Sequence, residues 1–289
     1  MAFNKKTFTA KVVALEIEQK RSNLDMRQYV HDRSAELEGD EKSIILPSFT
    51  PGATTAMPIA DDDMANGSTE AEIELVLDQD VGYPIVVGNS EQSETNVALM
   101  NTRAAGGAMA HRTTRNKHLL ASIAGTAASA TNRLKYADTT GNVISLEDIL
   151  NAAAMMDDAS VPQEDRYLAI RALDHKHLMK IEGFISRDKM GQNAEALPKN
   201  VIGLVGSFTV LKVPSSQMPL LNASTGAVAT TGKNCAIFFQ MYATAYAENI
   251  YKLVGPELKA GADAEWYNLH AKYGSKAQND TFAVTYREN

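Results

Sequence analysis

Between Lys42 and Arg103 the chain carries no basic residue, while Asp61, Asp62, Asp63, Glu70, Glu72, Glu74, Asp78 and Asp80 all fall inside that span. Within it, EIELVLDQD alternates apolar and acidic positions as a strand does. Pro47, Pro51, Gly52, Pro58, Gly67, Gly82 and Pro84 punctuate the remainder as turns do. Residues 44–88 therefore read as a long β-hairpin or loop. Strands of about 14 residues at ~3.3 Å each would make a ribbon of ~45 Å, against a radius of gyration near ~19 Å for a globule of this length. A two-stranded ribbon is marginal alone, so one this long wants a neighbouring surface, and a basic one complements it. The plainer reading is a solvated acidic face.

The chain has 289 residues, enough for one large domain or two intermixed ones. Its 44% apolar and 22% charged residues are an ordinary folded composition. A net charge of -7 supplies no general positive field, which argues against a dedicated nucleic-acid binder. Cys235 is the single cysteine, so no intrachain disulfide and no Cys/His zinc spacing exists, and a small buried hydrophobe is expected. Lys11, Glu16 and Glu18 interrupt what would have to be a signal core, and no window reaches the roughly 20 apolar residues of a membrane span. Cytosol-like surroundings and no membrane partner are expected.

Residues 9–38 are densely charged with scattered apolar positions and read as an arm needing a partner. The proline-free run 93–124 reads as a long helix with Ser93 as its N-cap and a stripe of Val97, Met100, Ala104, Ala108, His111 and Arg115. Gly106 and Gly107 mark a bend or a close backbone contact in it, and Arg103, Arg112, Arg115 and Lys117 make it the most cationic helix. Ser145 before LEDILNAAAMMDDA, with Asp148 at the capping-box position, predicts a helix with Leu146, Ile149, Leu150, Ala153 and Met156 inward. RYLAIRAL reads as a buried strand, IGLVGSFTVLKVP as a hairpin, and AIFFQMYATAYAENIYKL as strand passing into helix. The tail from Trp266 reads as a further helix or turn and a closing strand.

Phosphate loops, dinucleotide glycine fingerprints, nucleophile elbows and HExxH are all absent from the sequence. The enzyme reading is left with Asp174, His175 and His177, a carboxylate and two imidazoles within four residues. Asp174 reads as a helix N-cap, and on a helix two residues apart point about 200° from one another, so both histidines cannot close on one metal. On a strand they would share a face, and that alternative stays open. No cofactor is expected.

In order, these elements resemble the major capsid proteins of tailed double-stranded-DNA phages, the Hong Kong 97-type fold. The resemblance is carried by LEDILNAAAMMDDASVPQEDRYLAI, by VIGLVGSFTVLKVPSSQMP and, more weakly, by Tyr273-Gly274. It implies an α+β chain with an N-arm at 1–43, an extended loop at 44–88 lying over a neighbouring subunit, and a peripheral domain with its spine helix at 89–142. An axial domain would occupy 143–253, around five-fold and six-fold axes, and the peripheral domain would resume at 254–289.

By the same resemblance the chain self-assembles into the pentamers and hexamers of an icosahedral virion shell, put together in the host cytoplasm around DNA held by weak nonspecific contact. Asp61, Asp62, Asp63, Glu70, Glu72 and Glu74 would make subunit contacts, and Arg103, Arg112, Arg115 and Lys117 inner-face or intersubunit ones. The extended loop has no lysine, so covalent cross-linking of the kind some members use is not expected. The chain starts almost directly with the arm, so a separate scaffolding protein is expected, with portal and decoration proteins as further partners. An encapsulin-like cellular compartment is the alternative on the same fold, and a metal-dependent enzyme the alternative outside it.

Overall fold

Apolar runs without polar alternation, such as CAIFFQ, form strands only where both faces are covered, and the architecture follows from supplying that cover. A computed structural model describes residues 24–37, 42–50, 69–88, 96–127, 130–181, 185–186, 201–258 and 264–289. In chain order the elements are β1 (His31–Asp32), β2 (Ser43–Thr50), β3 (Thr69–Val76), β4 (Gln79–Gly88), α1 (Asn96–Thr126), β5 (Arg133–Lys135) and α2 (Leu146–Asp158). They continue with β6 (Arg166–Arg171), the single turn α3 (His175–Leu178), β7 (Ile185–Ser186), β8 (Val201–Val205) and β9 (Phe208–Val213). The last are β10 (Leu220–Leu221), β11 (Val228–Ala229), β12 (Cys235–Gln240), β13 (Thr244–Leu258), β14 (Ala264–Ala277) and β15 (Ala283–Arg287). The chain is α+β, as expected.

A seven-stranded mixed sheet, ordered β5-β15-β12-β6-β9-β8-β7, lies between two cores. Along β12, Cys235, Ile237 and Phe239 face one core while Ala236 and Phe238 face the other, the period of two that a doubly covered strand requires. The first core is closed by Leu119, Leu120, Ile123 and Ala124 of α1 together with Met26, Tyr29 and Val30. The second is closed by Ile149, Ala152 and Met156 of α2 and by Leu178 of α3. Burial pushes the Cys235 thiol up to about 12, as suits an inert core residue.

A second, four-stranded sheet has the order β1-β13-β14-β4. Its middle strands are long, 15 and 14 residues, with register shifts between Asn249 and Lys252 and between Val254 and Glu257. The expected helix after AIFFQ is therefore strand, and so is the expected helix or turn after Trp266. Ala, Glu, Lys and Leu favour a helix at 244–258, but β14 pairs along that segment and Ile44 and Leu46 cover Ala245 and Ala247. The inferred boundary at 253 cuts β13, and β15 joins the seven-stranded sheet rather than the sheet of β14. The segment 24–37 also departs from a free arm, because its apolar residues lie in this chain's own core.

The helix α1 has 31 residues, about 46 Å at 1.5 Å per residue. A Cβ on Gly107 would sit 2.8 Å from the Tyr83 ring, so the glycine pair marks close approach to β4. Gly274 is required for a similar reason: a Cβ there would collide with the Val76 carbonyl, where β14 passes the end of β3. On α2 the capping box of Ser145 and Asp148 forms as expected, but Leu146 and Leu150 are 41% and 54% exposed rather than inward.

The VPQEDR loop is held by its arginine. Arg166 is buried; its Nε donates to the Pro162 carbonyl at 2.8 Å and its Nη2 to the Val161 carbonyl at 2.6 Å, while it pairs with Asp157 at the end of α2 at 2.8 Å. Those bonds hold a tight connection in which Ser160 and Asp165 both take left-handed φ. Replacing Arg166 by Met leaves these carbonyls without their donors, and the chemical-denaturation stability of the unassembled subunit is expected to fall by about 3 kcal/mol. An unchanged unfolding midpoint would contradict that role.

Candidate assembly surface

The apolar stripe of α1 is broken by polar residues, and they explain how the N-terminal segment is attached. Ala108, His111, Arg112, Arg115, Asn116, Leu119, Leu120 and Ile123 are all buried along one helical face. Asn116 accepts from the Met26 amide at 3.2 Å and donates to the Leu24 carbonyl at 2.7 Å. Arg115, 1% exposed, pairs with Asp25 at 2.9 Å and with Glu248 on β13 at 2.8 Å. Arg27 extends the chain of charges from Glu248, at 3.4 Å, to Asp32. Burial works against the Asp32 carboxylate, yet the Ser34 hydroxyl and amide and the Arg27 guanidinium hold its pKa below the usual range.

This network corrects one expectation directly. Arg115 is an internal cation of the subunit rather than an inner-face or intersubunit one. Arg112 is likewise buried, Lys117 is exposed, and the Arg103 side chain lies outside the described residues. Asp25, Arg27, Asp32 and Glu248 were not singled out from the sequence. The signal for them was the placement of His111, Arg115 and Asn116 on an otherwise apolar face, since a buried charge demands a partner.

Part of the expected acidic ribbon falls within the described residues. β2 and β3 pair antiparallel from Ser43 against Val76 to Thr50 against Thr69, eight residues each, and β4 leaves the ribbon to pair with β14. Its base sits on the long sheet through Ile44, Leu46 and Leu75, while Glu72, Glu74, Ile45 and Val76 are exposed. Glu70 lies in β3 with its side chain outside the description, and Asp61, Asp62 and Asp63 fall outside the described residues. The hairpin thus presents an acidic strip with two apolar side chains to whatever lies beside it.

The Asp174 to His177 cluster is a loop stitch. Asp174 occupies the N-cap position of α3, but its side chain makes no cap bond; instead it accepts from Arg171 at 2.8 and 2.9 Å, and Arg171 also reaches Glu288. His175 is held below its ordinary pKa by burial and by Lys212. Among the described residues, no group of three or more His, Cys, Asp and Glu is arranged to hold a metal ion. The other histidines have structural partners. His111 donates to the Leu269 carbonyl at 3.1 Å, His118 meets the Ser275 hydroxyl at 2.8 Å, His31 meets Gln278 and His270 pairs with Asp80.

Neither a family model nor a curated protein matches the sequence. Solved structures do. The capsid structure of the cyanophage P-SCSP1u is matched with a TM-score of 0.66 at 20% identity, covering 92% of this chain and 88% of that one. The chain has the Hong Kong 97-type fold. The capsid of Ralstonia phage GP4 is similar at a TM-score of 0.66 and 13% identity, covering 90% and 87%. A virus-like particle from Pyrococcus furiosus is similar at a TM-score of 0.53 and 11% identity, covering 97% and 98%.

Two measurements check the interior. Arg115→Met removes the guanidinium that pairs with Asp25 and with the buried Glu248 and is expected to cost about 3–5 kcal/mol in urea unfolding. The pair Arg115→Met with Glu248→Met is expected to cost less than the sum of the two single changes, and additivity would show that the groups do not interact. The second concerns pH. Burial lowers the pKa of His111, outweighing the Leu269 carbonyl and Glu248, and lowers that of His118, outweighing Asp78, both from 6.5. A histidine held low takes up its proton more readily unfolded, so its stabilisation is complete above pH 6.5 and is lost as pH falls below it. The unfolding midpoint of the wild type is expected to drop in that window more steeply than that of a His111→Gln, His118→Gln variant.

Proposed function

We propose that this chain is the major capsid protein of a tailed double-stranded-DNA phage, a structural rather than enzymatic protein that forms the pentamers and hexamers of an icosahedral virion shell. The observation that carries the reading is the match of nine-tenths of the chain to the capsids of P-SCSP1u and GP4. In this reading the seven-stranded sheet with α2 and α3 is the axial domain, α1 with the β13–β14 pair is the peripheral domain, and the β2–β3 hairpin is the extended loop. Residues 1–43 are the arm, anchored at 24–37 by the buried charges. The shell is assembled in the host cytoplasm with a separate scaffolding protein, a portal and decoration proteins.

The physical logic is that of many weak contacts. A subunit that engages several neighbours at once gains effective concentration with each one, so single contacts stay reversible while the closed shell is stable. The acidic hairpin, with Asp61, Asp62, Asp63, Glu70, Glu72 and Glu74, meets a basic surface of the next subunit. A net charge of -7 suits a container whose DNA must leave, because a strongly cationic lining would hold the genome by counterion release. Of the cations on α1, Lys117, which is exposed, and Arg103 are proposed for inner-face or intersubunit contact.

Negative-stain microscopy of the purified protein tests the proposal: closed shells, or pentamers and hexamers, are expected, and a persistent monomer with stoichiometric bound metal would overturn it. The virus-like particle from Pyrococcus furiosus favours an encapsulin-like compartment as the second reading, which predicts shells filled with a protein cargo rather than packaged DNA. For the hairpin, reversing Asp61, Asp62 and Asp63 to Lys is expected to reduce shell yield with the subunit still folded. The wild-type shell is expected to loosen with rising salt, as screened contacts do. Equal yield and equal salt sensitivity in the variant would remove the hairpin charges from the contact.

A further inference from the structure

The outer layer over the second core carries two surfaces that the chain's own interior does not use. On α2 the exposed face runs through Glu147, Leu150, Asn151, Ala154 and Asp158, with Leu150 at its centre. Asp158 stands in the last turn, where the helix dipole disfavours a carboxylate, and it pairs with no described residue; its neighbour Asp157 is accounted for by Arg166. Helix stability therefore explains neither the outward leucine nor the terminal acid.

The α3 turn shows the opposite chemistry. Leu173 and Met179 are 67% and 52% exposed, and Lys176 and Lys180 flank them, with Lys212 of β9 close enough to His175 to lower its pKa. An apolar centre rimmed by acids on one element thus has its counterpart in an apolar centre rimmed by lysines on another. Neither surface suits a copy of itself, because like charges would face one another. Each suits the other.

We infer that α2 of one copy seats against the α3 turn of a neighbouring copy, Leu150 and Leu146 meeting Leu173 and Met179 while Glu147 and Asp158 meet Lys176 and Lys180. Two different surfaces of one chain make a heterologous, head-to-tail contact, and such a contact closes into a ring when the rotation between successive copies closes. The inference rests on the shell reading and adds to it the face through which subunits of one capsomer recognise each other. The apolar side chains form the desolvated middle and the charges the rim that sets orientation.

The test is a charge swap. Glu147→Lys with Asp158→Lys, and separately Lys176→Glu with Lys180→Glu, are each expected to lower the yield of rings or shells about tenfold by sedimentation and negative stain. All four positions are exposed, so circular dichroism and the unfolding midpoint are expected to stay at wild-type values. The variant carrying all four reversals regenerates the complementarity and is expected to recover assembly. Assembly of both two-site variants at wild-type yield overturns the inference and leaves the shell reading standing. A four-site variant no better than the two-site ones also overturns it, as does loss of DNA binding by Lys176→Glu, Lys180→Glu with rings intact, which would make the turn a nucleic-acid contact. A wild-type chain that never forms rings or shells overturns both.

Discussion

The buried pairing of Arg115 with Glu248 and Asp25 joins three parts of the chain that are far apart in sequence: the N-terminal segment, the long helix and the first long strand. A buried pair gains little net stability over well-packed apolar residues, because both charges must first leave water. Its effect is on alignment. Sliding α1 by one residue along β13 would carry the buried guanidinium away from Asp25 and Glu248, so the helix has one favourable docking. Asn116, satisfied by Met26, Leu24 and Gln217, fixes the same position one residue later.

From that docking the rest of the architecture follows. With α1 in place, Leu119, Leu120 and Ile123 cover one face of the seven-stranded sheet, and α2 and α3 cover the other. The long β13–β14 pair then extends beside the helix, with β4 and the hairpin base along it. Exposed among the described residues are the acidic strip of the hairpin, an acid-rimmed leucine on α2 and a lysine-rimmed apolar turn at α3, the surfaces on which the proposed shell contacts rest.

Some of this was legible in local sequence because the forces involved are local. Ser145 and Asp148 announce a helix start through bonds that span three residues, and Gly206 takes the left-handed φ of a hairpin turn where the sequence places a glycine. RYLAIR and CAIFFQ read as buried strands because nothing polar alternates through them. The misses share a cause. YATAYAENIYKL contains helix formers, and its strand state depends on β14 and on the hairpin, which lie far away in sequence. Leu146 and Leu150 fit an inward stripe by spacing, yet the cap geometry turns Asp148 inward to bond the Ala137 amide and leaves them outside.

The sequence by itself determined the element types where hydrogen bonding and apolar period act within a few residues, the acidic character of the ribbon and the presence of a charged residue on the helix stripe that had to find a partner. Which partner it found was decided by tertiary structure, because Asp25 and Glu248 reach Arg115 only after two sheets and a helix have packed. The same holds for the cluster at 174–177, whose carboxylate is neutralised by Arg171, and for the division of leucines on α2 between core and surface. Charge and burial are pairwise properties of space, and a single chain position carries only half of each pair.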